Sequence, residues 1–327
     1  MKRVIIHVGP HKTGSTYIQK ALFVNRKYLK SKGVSYPKIY MLAVGQHYLV
    51  DALRSKQDVK KIRQKIEQKV DSANICILSS ENYYQLPPPA LQRFKEVFSD
   101  TKADLVFFYR TPSIRMKSAW HEEIKHGKYR SYTKFYFQNL KHAYGNITVN
   151  PLRYLNALAK IFGRKCIHIV DYQTSTRNQS LIRDFWKASA LPVLVNDNPK
   201  RENTMLPIEE VELLRQLNIF AQKDNILKGP NIREKYINRR ENNISLVEEF
   251  KKKISFYKEK ENLGNYHIDR MVRNIMQNQW RDCFSNEISK IQPQEGYFIN
   301  ETWQQDNDLI IIAEKVYKKI NGKINYR

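Results

Sequence analysis

The chain has few cysteines, and none of them falls in a pattern that carries metal or disulfide chemistry. Cys76, Cys166 and Cys283 lie far apart among the 327 residues, and no C-x-x-C pair is present. This spacing excludes a cysteine-rich zinc module and a disulfide scaffold. A reducing compartment is therefore the simpler expectation.

Long apolar runs are also missing. No stretch approaches the roughly 18 to 20 apolar residues that an α-helix needs to span a bilayer. Residues 1–8 have a basic start and only a short apolar run before Gly9-Pro10, too short for a secretory signal and typical of a buried strand. We expect a protein without a membrane span that works in the cytoplasm and at most touches a membrane from one side.

Acidic residues are outnumbered by basic ones. The chain carries 57 lysines and arginines against 32 aspartates and glutamates, which leaves a formal net charge of +25. An excess of this size favours anionic partners, such as nucleic acid, an acidic glycan, a membrane surface or a multiply charged cofactor, and does not bear on the fold. Hydrophobic residues make up 41% of the chain, which is enough for a core and excludes disorder as the main description.

Short apolar runs alternate with helical patterns in the first 175 residues. The runs predict four buried strands, at residues 4–8, 74–78, 103–109 and 166–170. Helical patterns lie between them, at residues 15–31, in two pieces across 42–70, and from the proline run 87–89 to residue 98. This alternation predicts an α/β fold with a parallel sheet that has helices on both faces.

The second half of the chain has mainly helical patterns. They lie near residues 180–190, 207–222, 244–261, 266–284 and 308–320. Residues 223–261 are rich in Lys, Asn and Glu, and we expect them to form a mobile or surface helical insertion. No Gly/Ser linker is present, so we predict a single domain over residues 1–327, with an α/β core at 1–175 and a mainly helical part at 176–327.

A glycine-containing loop of residues 9–16 (GPHKTGST) lies between the first predicted strand and the first predicted helix. In this position, backbone N–H groups and the positive end of a helix dipole can hold an anion. The loop matches the P-loop pattern G-x-x-x-x-G-K-[ST] except that Ser15 replaces the lysine and Lys12 lies three residues earlier. A kinase needs that lysine to reach the transferred phosphate. An ATP-dependent small-molecule kinase with a degenerate P-loop stays open as an alternative.

Residues 10–17 (PHKTGSTY) resemble the 5′-phosphosulfate-binding loop of the sulfotransferase superfamily, which usually reads as a Pro-Lys-Ser-Gly-Thr-Thr-Trp-like string after the first strand. His11 is an insertion relative to that string. The donor of this superfamily is 3′-phosphoadenosine 5′-phosphosulfate (PAPS). By this resemblance Lys12 is the loop lysine, and the residues that follow it complete the cofactor-binding loop: Thr13, Gly14, Ser15 and Thr16.

Residues 110–120 (RTPSIRMKSAW) follow the third predicted strand and resemble the 3′-phosphate-binding signature of the same superfamily. By this resemblance Arg110 at the strand end and Ser118 on the next helix contact the 3′-phosphate of the nucleotide. An arginine fork forms bidentate, charge-assisted hydrogen bonds to phosphate. Lys228-Gly229 is similar to a pair that closes over this phosphate in several branches, which adds Lys228 as a weaker candidate.

The resemblance implies a P-loop-like fold in which residues 1–175 bind the nucleotide and residues 176–327 form the acceptor side and close over it. It implies transfer of a sulfuryl group from PAPS to an acceptor hydroxyl, with Lys12 stabilising the bridging oxygen as it leaves and with no metal. A base must take the acceptor's proton. Glu81, just past the second predicted strand, resembles the glutamate base of glycan and tyrosine-peptide sulfotransferases. Histidines compete for this role: His7, which we expect in the core, His11, His121 and His126.

The expected acceptor is a surface-glycan or capsule precursor or a glycolipid, whose anionic groups would use part of the basic excess. A lipid or a small metabolite comes second. A basic nucleic-acid-binding protein stays open as a different class, because 20 tyrosines and 14 phenylalanines can stack on bases. No nucleic-acid recognition motif is present, so specific binding to DNA or RNA is not expected.

Overall fold

The computed structural model describes residues 1–143, 145–191, 206–225, 231–260, 264–284 and 297–322. Its strands are β1 (Arg3–His7), β2 (Val34–Ser35), β3 (Ile75–Ser79), β4 (Lys102–Tyr109), β5 (Ile167–Asp171), β6 (Lys258–Lys260) and β7 (Tyr297–Ile299). Its helices in the first half of the chain are α1 (Ser15–Val24), α2 (Arg26–Ser31), α3 (Tyr48–Arg54), α4 (Val59–Val70), α5 (Pro88–Val97), α6 (Pro112–Lys125), α7 (Tyr132–Leu140) and α8 (Pro151–Phe162). Those in the second half are α9 (Tyr172–Arg177), α10 (Leu181–Ala188), α11 (Ile208–Lys223), α12 (Asn231–Arg239), α13 (Ile244–Ile254), α14 (Gly264–Gln279) and α15 (Asn307–Ile320).

The first five strands form one parallel sheet in the order β2-β3-β1-β4-β5. The four predicted strands are confirmed, each within one residue at both ends. Strand β2 was not predicted, because two residues are too short to show a pattern. Strand β1 lies at the centre, where Val4, Ile5 and Ile6 are fully buried on both faces of the sheet, as a continuous apolar run requires.

Helices cover both faces of this sheet, as predicted. On one face, Ile5 and Val106 of the strands pack with Ile18 and Leu22 of α1 and Phe185 of α10. The other face is rich in aromatic pairs, in which Tyr84 meets Phe107 at a centroid distance of 5.8 Å and Phe94 meets Phe162 at 6.3 Å. The chain therefore has the α/β fold that the strand pattern predicts.

The chain divides into two compact units. The first comprises residues 1–111, 150–202 and 270–292 and contains the parallel sheet. The second comprises residues 112–149, 203–269 and 293–327; in its described part it is helical, apart from the antiparallel pair β6–β7. The single domain over residues 1–327, with its division near residue 175, stays a prediction.

The expectation of a mobile or surface insertion at residues 223–261 is wrong for the described part of that range. Tyr236 of α12 and Val247, Phe250 and Ile254 of α13 are fully buried in the core of the second unit. The last three recur at intervals of three and four residues, which places them on one face of a helix. The lysines and glutamates between them occupy the opposite face and conceal this pattern when only composition is considered.

The described helices include none that is both long and apolar enough to cross a membrane.

Candidate active site

The candidate site lies at the carboxyl edge of the parallel sheet. The loop of residues 8–14 follows β1, Glu81 follows β3, and Arg110 follows β4. Strand β1 pairs with both of the others, so that His7 lies opposite Ser79 on one side and Val106 on the other. Parallel strands bring their carboxyl ends to one edge, which is where open α/β sheets bind ligands.

The loop passes directly over the residue that we expect to act as the base. Gly9 has a φ of 82°, and a Cβ atom at this position would lie 2.9 Å from the Glu81 Cα. Gly14 has a φ of 75°, and a Cβ there would lie 2.5 Å from the Leu181 Cδ2. Both positions require glycine, because the left-handed backbone and the lack of space each disfavour a side chain. Lys12 is also left-handed, with a φ of 66°.

Two of the loop hydroxyls act inside the loop. Thr13, which is fully buried, donates its hydroxyl to the Pro10 carbonyl at 2.6 Å, and the Ser15 hydroxyl points to the same oxygen at 3.4 Å. Thr16, by contrast, is exposed on the first turn of α1, and no side chain caps the N-terminus of that helix. The backbone amides and Thr16 are therefore better placed for an anion than the other two hydroxyls.

Arg110 and the loop lysine are brought together. The Arg110 Nη1 donates to the Lys12 carbonyl oxygen at 2.5 Å, and its guanidinium lies 5.2 Å from the centre of the Tyr172 ring. Both Lys12 and Arg110 are half-buried. Arg110 therefore binds the backbone of the residue whose side chain supplies the loop's positive charge.

Glu81 begins a 3₁₀ turn, Glu81–Gln85, that starts where β3 ends. Its Oε2 accepts a hydrogen bond from the Gln19 Nε2 at 2.7 Å and lies 4.0 Å from the His47 Nε2. Burial acts to raise the pKa of Glu81, but hydrogen bonds from its own backbone and from Gln19, together with the nearby His47 and His11, lower it overall. The carboxyl group is therefore ionised at neutral pH.

Ser118 is buried on α6, in the second unit, and Lys228 lies outside the described residues. Their roles stay predictions.

The competing histidines have different environments. His7 is fully buried in the core, as predicted. His11, which is part of the loop, accepts a hydrogen bond from the Gln85 side chain at 3.2 Å. His121 is buried on α6, and His126 is exposed beside Glu122 at 3.4 Å.

Comparisons with known proteins are sparse. No family model matches the chain, and no curated protein matches it. A solved structure of a sulfotransferase from Alicyclobacillus acidocaldarius is similar, with 15% sequence identity, 68% of this chain and 96% of that chain covered, and a TM-score of 0.39. An overlap this loose carries neither fold nor activity over to this chain, so both are argued from its own residues.

Gln19 and His47 were not predicted for the site. The signal for Gln19 is a polar residue on the apolar face of a helix, next to Ile18 and Leu22; it is buried, with 2% of its surface exposed. A buried amide must find a partner, which here is Glu81. For His47 no local signal exists, because its place depends on a loop that folds back to β3.

In the described part of the chain, His, Cys, Asp and Glu side chains form no group of three or more that would hold a metal ion. A reaction without a metal stays a prediction.

Proposed function

We propose that the protein is a sulfotransferase that uses PAPS and an acceptor hydroxyl. The observation that carries this proposal is the meeting of three groups at one sheet edge: a loop with Lys12, an arginine bonded to that loop, and a carboxylate under it. Anion donors next to an ionised base suit transfer of an anionic group to a hydroxyl.

The donor set fits a phosphosulfate. The N-terminus of α1 lacks a side-chain cap, Thr16 is exposed on its first turn, and two cations, Lys12 and Arg110, are close to the same loop. These groups favour a ligand with several negative charges. When bound, PAPS supplies an activated sulfuryl group and a bisphosphate leaving group.

Each group of the chain then has a distinct task. The amides of the loop and Thr16 hold the 5′ end of the donor, and Lys12 stabilises the negative charge that develops there. Glu81 takes the proton of the acceptor hydroxyl. Because its pKa is lowered, it is ready for this task without first losing a proton.

For the acceptor, we propose a glycan or glycolipid precursor in the cytoplasm. The large basic excess of the chain supports an acceptor that carries its own negative charges.

Binding of adenosine 3′,5′-bisphosphate, measured by calorimetry, tests the nucleotide site. We expect Lys12→Ala and Arg110→Ala each to weaken binding about 10- to 100-fold, because each removes a charge-assisted contact. Lys27→Ala and Arg177→Ala, at exposed positions of α2 and α9, are the matched controls. Normal binding by both site variants would overturn the assignment.

Turnover of labelled donor with glycan precursors tests the reaction. We expect Glu81→Gln to reduce the rate about 10²- to 10⁴-fold, as loss of a general base does, with nucleotide binding unchanged. Full turnover by this variant would move the base to another residue.

Two further outcomes would replace the proposal. Mg²⁺-dependent turnover of ATP, with no use of the sulfate donor, would identify a kinase with a degenerate P-loop. Tight, steeply salt-dependent binding of DNA or RNA that the bisphosphate does not affect would identify a nucleic-acid-binding protein.

A further inference from the structure

The carboxylate of Glu81 is held from two sides by residues of other elements. Gln19, which lies 62 positions earlier on α1, donates its amide to the Glu81 Oε2 at 2.7 Å. His47 lies just before α3 and faces the same oxygen through its Nε2 at 4.0 Å. This distance is too long for a direct hydrogen bond but short enough for an electrostatic interaction between the imidazole and the carboxylate.

Ser80 binds the ring nitrogen of His47 that faces away from Glu81. The Ser80 Oγ accepts a hydrogen bond from the Asn82 backbone N–H at 3.1 Å and lies 2.8 Å from the His47 Nδ1. The Ser80 hydroxyl has a hydrogen that it can donate to Nδ1, and in that tautomer the proton of a neutral ring is on Nε2, the nitrogen that faces the carboxylate.

His47 keeps this place because the loop before it is bound to the end of β3. The neighbouring Gln46 donates its backbone N–H to the Ser79 carbonyl at 2.9 Å, and its side-chain oxygen accepts from the Ser79 N–H at 2.7 Å. The amide of the Gln46 side chain also donates to the Pro37 carbonyl at 3.1 Å. Gln46 is fully buried, so the loop has little freedom to move away from the site.

Gly45 lets the two residues approach each other. A Cβ atom at this position would lie 2.6 Å from the His47 Nε2 and 2.9 Å from the Gln19 Cδ. Any larger residue would push one of them away from the carboxylate.

From this geometry we propose that Gln19 and His47 are positioning residues that fix the orientation of the Glu81 carboxylate for proton transfer. The inference rests on the proposed function, because it assigns a task to neighbours of the proposed base. Neither residue is required to touch the substrate.

Other groups also act on Glu81, and the experiment must separate them from the pair. His11 of the loop lies close enough to lower the pKa of Glu81. The charge of Glu81 in turn acts to raise the pKa of His7 in β1 and of Tyr36, which precedes the loop that contains Gln46. All three residues are unchanged in variants of Gln19 and His47, so a shift in the pKa of Glu81 in such a variant reports the effect of Gln19 or His47 itself.

The direct test is the pKa of Glu81, measured by NMR of labelled carboxyl carbons with Glu81→Gln to assign the signal. We expect Gln19→Met to raise this pKa by about one unit, because the carboxylate loses a charge-assisted donor while the side-chain length is kept. His47→Asn should raise it by a smaller amount. Gln216→Met, at another buried glutamine, in the second unit, and His142→Asn, at an exposed position, are the matched controls and should leave it in place.

An unchanged pKa of Glu81 in both Gln19→Met and His47→Asn, with thermal unfolding showing that both variants are folded, would overturn the proposal. If Gln19→Met does not fold, His47→Gln provides the second test, since residue 47 lies in a partly exposed position.

Kinetics separate this inference from the proposed function. With turnover of PAPS established, Gln19→Met should lower kcat about tenfold, leave bisphosphate binding unchanged and move the acidic limb of the pH–rate profile upward. If Glu81→Gln loses activity but the acidic limb of the pH–rate profile does not move in either Gln19→Met or His47→Asn, the positioning role is overturned and the proposed sulfotransferase activity stands. No turnover of PAPS by the unaltered protein would overturn the proposed function, while the NMR titration would still decide whether the pair holds Glu81.

Discussion

His7 shows how a single polar residue can belong to the core beside the site. It ends β1, is fully buried, and places its Nδ1 2.7 Å from the Ser79 Oγ. Its ring meets Phe108 and Phe185 edge-on, at centroid distances of 5.5 and 5.8 Å. Burial lowers the pKa of His7 to about 4, although the charge of Glu81 acts in the opposite direction. His7 is therefore neutral at physiological pH.

This burial predicts a pH-dependent stability. In the unfolded chain His7 binds a proton near pH 6.5, but the folded protein resists protonation down to about pH 4. The unfolded state then holds more protons in this interval, so the free energy of unfolding falls as the pH drops from 6.5 toward 4. Between pH 7 and 4.5 we expect the free energy of unfolding of the unaltered protein to fall by about 2 kcal/mol more than that of His7→Leu. Urea unfolding at both pH values measures this, and equal losses in the two proteins would contradict it.

Helix α13 shows how an element with a polar composition can build a core. Its sequence, ISLVEEFKKKI, has six charged or hydroxyl residues among eleven, yet Val247, Phe250 and Ile254 are fully buried. The Phe250 ring meets Trp303 edge-on, with 5.6 Å between the centroids. The apolar residues carry the packing and the lysines remain at the surface, as amphipathic helices require.

Two phenylalanines six residues apart test this role of α13. Phe250→Ala should destabilise the protein by about 3 to 5 kcal/mol, because it opens a cavity in the core of the second unit. Phe256, which is 84% exposed just after the helix, is the matched control, and Phe256→Ala should change stability by at most about 0.5 kcal/mol. Denaturant unfolding of both variants gives the comparison. Similar small effects for the two variants would show that this segment is a surface insertion, as its composition predicts.

At the scale of the whole molecule, several carboxylates form ion pairs with arginines inside the protein. Asp104 accepts from Arg3 at 2.6 Å, Glu212 pairs with Arg215 at 2.8 Å, and Glu210 pairs with Arg240 at 2.5 Å. Burial would raise the pKa of Asp104, but its bonds to His168 and Arg3 lower it to about 2. Since these acids are turned inward, the net charge of +25 is carried by basic groups with fewer acidic neighbours at the surface.

Such an excess predicts a stability that rises with salt. Like charges repel one another in the compact state, and an increase from about 10 mM to about 150 mM sodium chloride shortens the Debye length from about 30 Å to about 8 Å. We expect the Tm to rise over this range. Sodium sulfate at equal ionic strength is the comparison. Sulfate that binds the proposed nucleotide site should raise the Tm further, and Lys12→Ala should remove that further increase. A Tm that falls in sodium chloride would show that attractive surface pairs outweigh the repulsion.

Much of the first unit could be predicted because its signals are local. Apolar runs predict the four longer strands, and glycines at positions 9 and 14 mark a loop between a strand and a helix. The order of those elements then indicates that Lys12, Glu81 and Arg110 follow strands of one sheet. The pairing of Arg110 with the Lys12 carbonyl joins residues 98 positions apart, and no local pattern contains it.

The sequence by itself determined the α/β character of the chain, the position of the glycine-containing loop and the large positive charge. Periodicity and glycine act over a few residues, and charges simply add. Only the tertiary structure decided that Gln19 and His47 hold Glu81, that the hydroxyls of Thr13 and Ser15 turn inward, and that α13 belongs to a core. These outcomes depend on which distant segments share a space, and that is set by the packing of the whole chain rather than by any stretch of it.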